Sequence, residues 1–185
     1  MSFARADVLA AVEARVANEH LRRHMLACEA IMRALALRFD EDPETWGLAG
    51  LAHDLDSEET EADFTRHGVE AALALEELGA PADVIHAVAA HNPATGVASD
   101  SRMDVALIVA DQMSGLVTAA ALIRPEKELA GVQLRSLRKR YREGAFARGV
   151  DRGAIARCAE LGLELDDALA VGLGAMQGIA ADLGL

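Results

Sequence analysis

The sequence predicts an all-α fold, and three observations carry that expectation. About half of the residues are hydrophobic but only 3% are aromatic, so the apolar content is mainly Ala and Leu, both strong helix formers. Long runs are free of Pro and Gly. Apolar residues also recur at helical spacing, as in Val8, Leu9, Val12 and Val16. This composition does not suit a sandwich or barrel. At 185 residues the chain can bury a core without disulfides or a structural metal, and a single domain over 1–185 is expected.

The elements follow in order. A first helix is expected from about Ala6 to Asn18, and a second from Glu19 to Arg38, which carries His24. Asp42-Pro43 reads as a helix start, with Asp as cap and Pro in the first position. That helix ends near His53-Asp54-Leu55-Asp56, and the acidic stretch Asp56 to Glu61 reads as a solvated loop. His67 opens the next helix, whose Val69, Ala72, Leu73 and Leu75 lead to Leu78 before Gly79 stops it. Pro81 starts another, ending at His91-Asn92-Pro93 because the residue before Pro is pushed out of helical geometry. A loop from Thr95 to Ser101 leads into a long apolar helix containing Asp111. Val105 to Ile123 has roughly the length of a membrane span. However, Asp111, Gln112, Ser114 and Thr118 lie inside it, and Arg102, Asp104 and Arg124 flank it, so a helix buried in protein is expected. After Arg124-Pro125 the chain turns basic, and it becomes helical again from about Asp151 and Leu165. The apolar segment Leu165 to Leu185 reads as a packed helix or a homodimer surface, and periodicity does not choose between them.

A net charge of −12 argues against nucleic-acid backbone binding, while leaving room for a small anion drawn to a local basic pocket or a metal. Cys28 and Cys158 form no CxxC pattern and read as reduced thiols of a cytosolic protein. Met1 to Asp7 lacks the basic-then-apolar pattern of a signal peptide. A cytoplasmic protein with no membrane attachment is therefore expected.

The chemistry is concentrated in one ordered series: His24, the doublet His53-Asp54, His67, His91 and Asp111. His24 falls mid-helix, His53-Asp54 and His91 end helices, His67 begins one, and Asp111 lies in the most apolar helix. Side chains at helix ends can lean into a shared cavity. Mixed imidazole and carboxylate shells suit divalent transition metals. Asp111 follows Val105-Ala106-Leu107-Ile108-Val109-Ala110, which predicts burial, and a buried carboxylate is costly unless paired or coordinated. A salt bridge would satisfy it as well as a metal would. For any one histidine at a helix end the structural reading is the favoured one, so the weight lies in the series as a whole.

This series resembles the HD superfamily of metal-dependent phosphohydrolases. His24, His53-Asp54 and Asp111 match its core motif, and Gly50-Leu51-Ala52 and Leu55 fit the apolar setting of the doublet. Asn18 and Leu21 match the approach to the first histidine, and His67-Gly68 and His91-Asn92 match the further histidines of binuclear members. The likeness covers about 18–123, leaving 124–185 as a C-terminal helical extension. It implies a helical bundle of the HD type in which His24, His53, Asp54 and Asp111 hold one metal. In a binuclear site, His67 and His91 would hold a second, with Asp54 bridging. It further implies that Asp54 and His53 carry catalysis, with water activated for attack on phosphorus. Iron, manganese, magnesium, zinc, nickel and cobalt all suit one or both positions. Many relatives follow the doublet with a small residue and then Lys. Here Asp56 and Ser57 hold those places, so a cation for the phosphate must come from elsewhere.

His20 shares a helix face with His24 but lacks the Glu of an HExxH motif, and His86 falls on a different face from His91. Glu29 and Asp56 read either as partners that orient imidazoles or as ordinary polar residues, the latter being favoured. Arg135, Arg138 and Arg142 form one helix face. That face, or Arg124 and Lys127, could clamp a phosphate, although pairing with the surplus acids explains the basic run better. The expected function is hydrolysis of a small phosphate ester, a nucleotide-like phosphomonoester or phosphodiester. The alternatives are a di-iron oxygenase on the same ligand set and a regulatory module that binds metal or nucleotide without turnover.

Overall fold

The computed structural model describes residues 3–185. Among them are ten α-helices, three short 3-10 turns and no strand, so the chain is all-α. The first helices are α1 (Arg5–Arg15), α2 (Glu19–Arg38) and α3 (Pro43–Ala52). The helix α1 stops short of the expected Asn18 because Asn18 has another task. It takes extended geometry as the cap of α2 and accepts from His20 N at 2.9 Å. Asp42 caps α3 in the expected way, accepting from Glu44 N and Thr45 N at 3.2 and 3.1 Å.

The segment after α3 departs from expectation. Glu58 and Glu59 face water, but Asp56 and Thr60 are buried. The next helix, α4 (Val69–Glu77), begins two residues after His67. Gly68 adopts a φ of 91° at its cap, where a side chain would be strained. The donors Gly68 N and Ala71 N are satisfied by Asp56, at 2.8 and 2.9 Å. The start of α4 is thus capped by a residue more than ten positions earlier, a contact that no local cap pattern reveals.

The helices α5 (Ala82–Ala90) and α6 (Arg102–Leu122) follow. The start of α6 is a reciprocal cap in which Ser101 Oγ accepts from Asp104 N and Asp104 accepts from Ser101 N. The other Asp104 oxygen takes His86 Nδ1 at 3.1 Å, tying α5 to α6. Long and apolar enough to cross a membrane, α6 is instead mostly buried at the centre of the bundle, packed against α2, α3 and α5. The remaining helices are α7 (Leu134–Arg142), α8 (Arg152–Ala156), α9 (Leu165–Gly178) and α10 (Ala180–Leu183). Leu137, Ile155, Leu169, Leu173 and Met176 from these helices join the same apolar core as Ile31, Leu107 and Met113. Within α7, Arg138 of the basic face meets Asp166 at 2.5 Å, and Arg140, off that face, meets Glu143 at 2.7 Å.

Candidate metal centre

Four helices and one turn bring the series together. The closest packing in the region is α3 on α2, and it depends on Gly50. A Cβ there would lie 2.7 Å from Cys28 O and 2.9 Å from Glu29 N. This approach sets His53, one turn beyond Gly50, against His24 of α2, with their Nε2 atoms 3.2 Å apart. Asp111 of α6 closes that group, its Oδ1 lying 3.2 Å from His24 Nε2 and 3.9 Å from His53 Nε2. On the other side, His67 and His91 approach each other, Nε2 to Nε2, at 3.1 Å.

Asp54 stands between the two pairs. Its Oδ2 is 3.4 Å from His24 Nε2 and 3.5 Å from His53 Nε2. Its Oδ1 is 3.2 Å from His67 Nε2 and 3.7 Å from His91 Nε2. One oxygen therefore faces each pair.

The hydrogen bonds behind the rings decide what the Nε2 atoms offer. His53 Nδ1 donates to Gly50 O at 2.9 Å and His91 Nδ1 to Val88 O at 2.6 Å. Carbonyl oxygens only accept, so the protons sit on Nδ1. His67 Nδ1 donates to Asp56 Oδ1 at 2.9 Å. His24 Nδ1 donates to Ser114 Oγ at 2.8 Å, whose own proton goes to Asp111 O at 2.8 Å. All four imidazoles are thus tied outward through Nδ1, leaving Nε2 lone pairs to converge on two carboxylates. Lone pairs at this separation repel unless a cation, either a proton or a metal, lies between them. This donor set fits divalent metal ions, and the tie behind each ring is the arrangement that orients metal-binding histidines.

Titration follows the same logic. Burial opposes the charged form of His67, but hydrogen bonds to Asp54 and Asp56 prevail and raise its pKa to about 9. Burial and the neighbouring His53 push His91 down to about 4. For Asp111, burial is outweighed by the hydrogen bond from His24 and the nearby imidazole charge, giving about 2. Burial is likewise outweighed at His24, whose bonds to Asp111 and Asp54 hold it well above the usual imidazole range. In the metal-free protein each imidazole pair therefore holds a proton next to the carboxylates.

All six residues of the series are in this cluster, but Asp111 is less buried than expected. About a fifth of its side chain is exposed (22%), because it lies on the side of α6 that faces a cavity. Asp56, weighed as an ordinary polar residue in a solvated loop, has no exposed surface and holds His67 in place. Its acidic neighbours masked that role. Glu29 pairs instead with Arg5 and Arg33, at 2.6 and 2.9 Å.

His20 is exposed and His86 is bound to Asp104, and neither enters the cluster. The structure does not bring Arg124 or Lys127 to it either. Both follow the far end of α6, with Arg124 roughly 20 Å along the helix axis from Asp111 and 3.5 Å from Glu126. Cys28 Sγ lies 3.8 and 3.9 Å from the two ring nitrogens of His24. That equal spacing places the sulfur against the ring, away from the line of the Nε2 lone pair. Phe64, largely exposed, stacks on His67 with centroids 5.1 Å apart.

Comparison with known proteins agrees with this geometry. A family model described as HD domain matches residues 21–123, which span α2 to α6 and contain every residue of the cluster. No curated protein and no solved structure gives a significant match.

Proposed function

We propose that this chain, which belongs to the HD domain family, is a metal-dependent phosphohydrolase acting on a small phosphate ester at a binuclear centre. The observation that carries the reading is the outward tie of all four imidazoles, combined with a separate Asp54 oxygen facing each pair. His24, His53, Asp54 and Asp111 would hold one ion, and His67, His91 and Asp54 the other. Two divalent ions so placed supply acidified water and neutralise charge on the phosphoryl oxygens.

The chain's own residues do the rest. Gly50 and Gly68 allow backbone approaches that bring the rings together. Ser114 and Asp56 hold His24 and His67 in the tautomer that leaves Nε2 bare. Gln112 Nε2 donates to Asp111 Oδ2 at 2.8 Å, turning the other oxygen inward. His53 is wholly buried and His91 nearly so, so water reaches the cluster from the partly exposed sides of Asp111 and His24.

The test is phosphate release from a panel of phosphomonoesters and cyclic phosphodiesters, with each divalent metal added back. Activity in the wild type that falls to background in Asp54→Ala, with the melting temperature retained, supports the reading. Equal activity in both proteins, or none with any metal, contradicts it.

A further inference from the structure

Beside the cluster lies a cavity of about 580 Å³ that reaches His91 and Asp111. Its walls have two origins. Ala90, Val97 and Ile108 belong to the matched HD domain, whereas Gly153, Ala154 and Arg157 come from the chain beyond residue 123. Ile108 is half-buried in a stretch of α6 whose neighbours are buried, and it adds to an apolar lining.

The cavity's charges are committed elsewhere. Among the described residues, Arg157 is the one cationic side chain lining it. Both oxygens of Glu160 already neutralise this group, at 2.8 and 3.0 Å from Nε and Nη2. Its remaining bonds clasp Ser99, at 2.8 Å to Oγ and 3.2 Å to the carbonyl, which fastens the C-terminal wall to the loop of the HD domain. The other formal charges on the lining are the carboxylates of Asp111 and Asp151, and Asp151 caps Gly153 N and Ala154 N at 2.7 and 3.2 Å. Nothing in this cavity favours an anion, so negative charge on a ligand is favoured only at the metal-binding end.

We infer that the cavity receives the leaving group of the substrate, that this group is compact, uncharged and largely apolar, and that residues 153–157 set the specificity. The substrate class is therefore a phosphomonoester of a neutral alcohol. A nucleoside di- or triphosphate would bring further negative charge against Asp151 and an Arg157 that is already paired. This inference rests on the phosphohydrolase reading above, and its test uses inert phosphonates so that turnover is not needed.

The experiment is calorimetric titration of the metal-loaded full chain with methylphosphonate, phenylphosphonate and 4-carboxyphenylphosphonate. Methylphosphonate reports the metal side alone. Phenylphosphonate is expected to bind at least about tenfold more tightly, because its ring leaves water for an apolar wall. The carboxylated ring is expected to lose that advantage. Filling the cavity with Ala154→Phe, or making its wall polar with Ile108→Asn, should abolish the preference for phenylphosphonate while metal content and methylphosphonate affinity hold. Melting temperatures identify a variant that has failed to fold, and the second variant then decides.

Equal affinities for methyl- and phenylphosphonate in the wild type would overturn the inference. So would a preference that survives in the folded variants, or tight binding of the carboxylated ring. If neither methyl- nor phenylphosphonate binds the metal-loaded protein, the phosphohydrolase reading fails, and the inference fails with it.

Discussion

Replacing Asp56 with Asn should separate the two halves of the centre. Asp56 accepts from Gly68 N at 2.8 Å, Ala71 N at 2.9 Å and His67 Nδ1 at 2.9 Å. An amide has a single accepting oxygen. The two backbone donors share one carboxylate oxygen and cannot turn away, so the amide oxygen stays with them and the NH2 group faces His67 Nδ1. Two donors cannot face each other, and His67 must move its proton to Nε2. That atom points at Asp54 Oδ1, 3.2 Å away, and would otherwise bind the cation.

Losing such an outer partner typically costs about 10–100-fold in metal affinity, or about 1.4–2.7 kcal/mol. The fold also loses a charge-assisted hydrogen bond, worth roughly 1.5–3 kcal/mol. Among the described residues, Asp56 makes no hydrogen bond or ion pair with His24, His53 or Asp111, so that half should keep its affinity. Chelator competition on the full chain reads both sites, with melting followed by circular dichroism. One tight site and one weakened site is the expected result. Equal weakening of both, or of neither, would refute the reasoning.

The remaining predictions concern packing, protons and the distant cations. Gly50→Ala puts a methyl group 2.7 Å from Cys28 O and 2.8 Å from its carbon, against backbone that cannot rotate away. Overpacking of this kind costs about 1–3 kcal/mol, so the melting temperature should fall by several degrees and metal content should drop; an unchanged protein on both measures would contradict the account of the α2–α3 contact. Metal affinity at the His67–His91 half should rise with pH, by about one decade per pH unit for each proton displaced, and flatten above the His67 value of about 9; a flat profile there from pH 6 to 9 would show that no proton leaves. In the metal-free protein the same His67 shift contributes stability that is fully present below the unfolded pKa of about 6.5. That stability is lost as pH rises through about 9, and denaturant titrations across this window measure it. Arg124→Ala and Lys127→Ala should leave ester hydrolysis within about twofold of wild type, since surface changes away from a site are usually small; a large rise in KM would return them to the site.

Much of the centre was legible in the sequence because its signals are local. Asn18 before α2, Asp42-Pro43 before α3 and the long apolar run of α6 each announce an element within a few residues. The ordered series His24, His53-Asp54, His67, His91 and Asp111 carries the HD resemblance, and the fold gathers all six residues into one cluster. What escaped depends on contacts across the chain. Asp56 sits in an acidic run that reads as solvated, and only the fold places it beneath His67 and at the start of α4. Gly50 looks like one more small residue until its approach to Cys28 is seen. The cavity wall at 153–157 carries no motif, and it acquires a role only because Arg157 meets Ser99 from a distant part of the chain.

The most direct test of the central claim is the metal content of the full chain, measured by elemental analysis before and after metal is added back, alongside a His53→Ala/Asp54→Ala variant. The account predicts about two ions per wild-type chain, as in two-metal phosphate-transfer sites, and their loss from the variant. A wild-type chain that holds no metal even after loading would contradict it, and would leave the converging imidazoles as proton-sharing pairs alone.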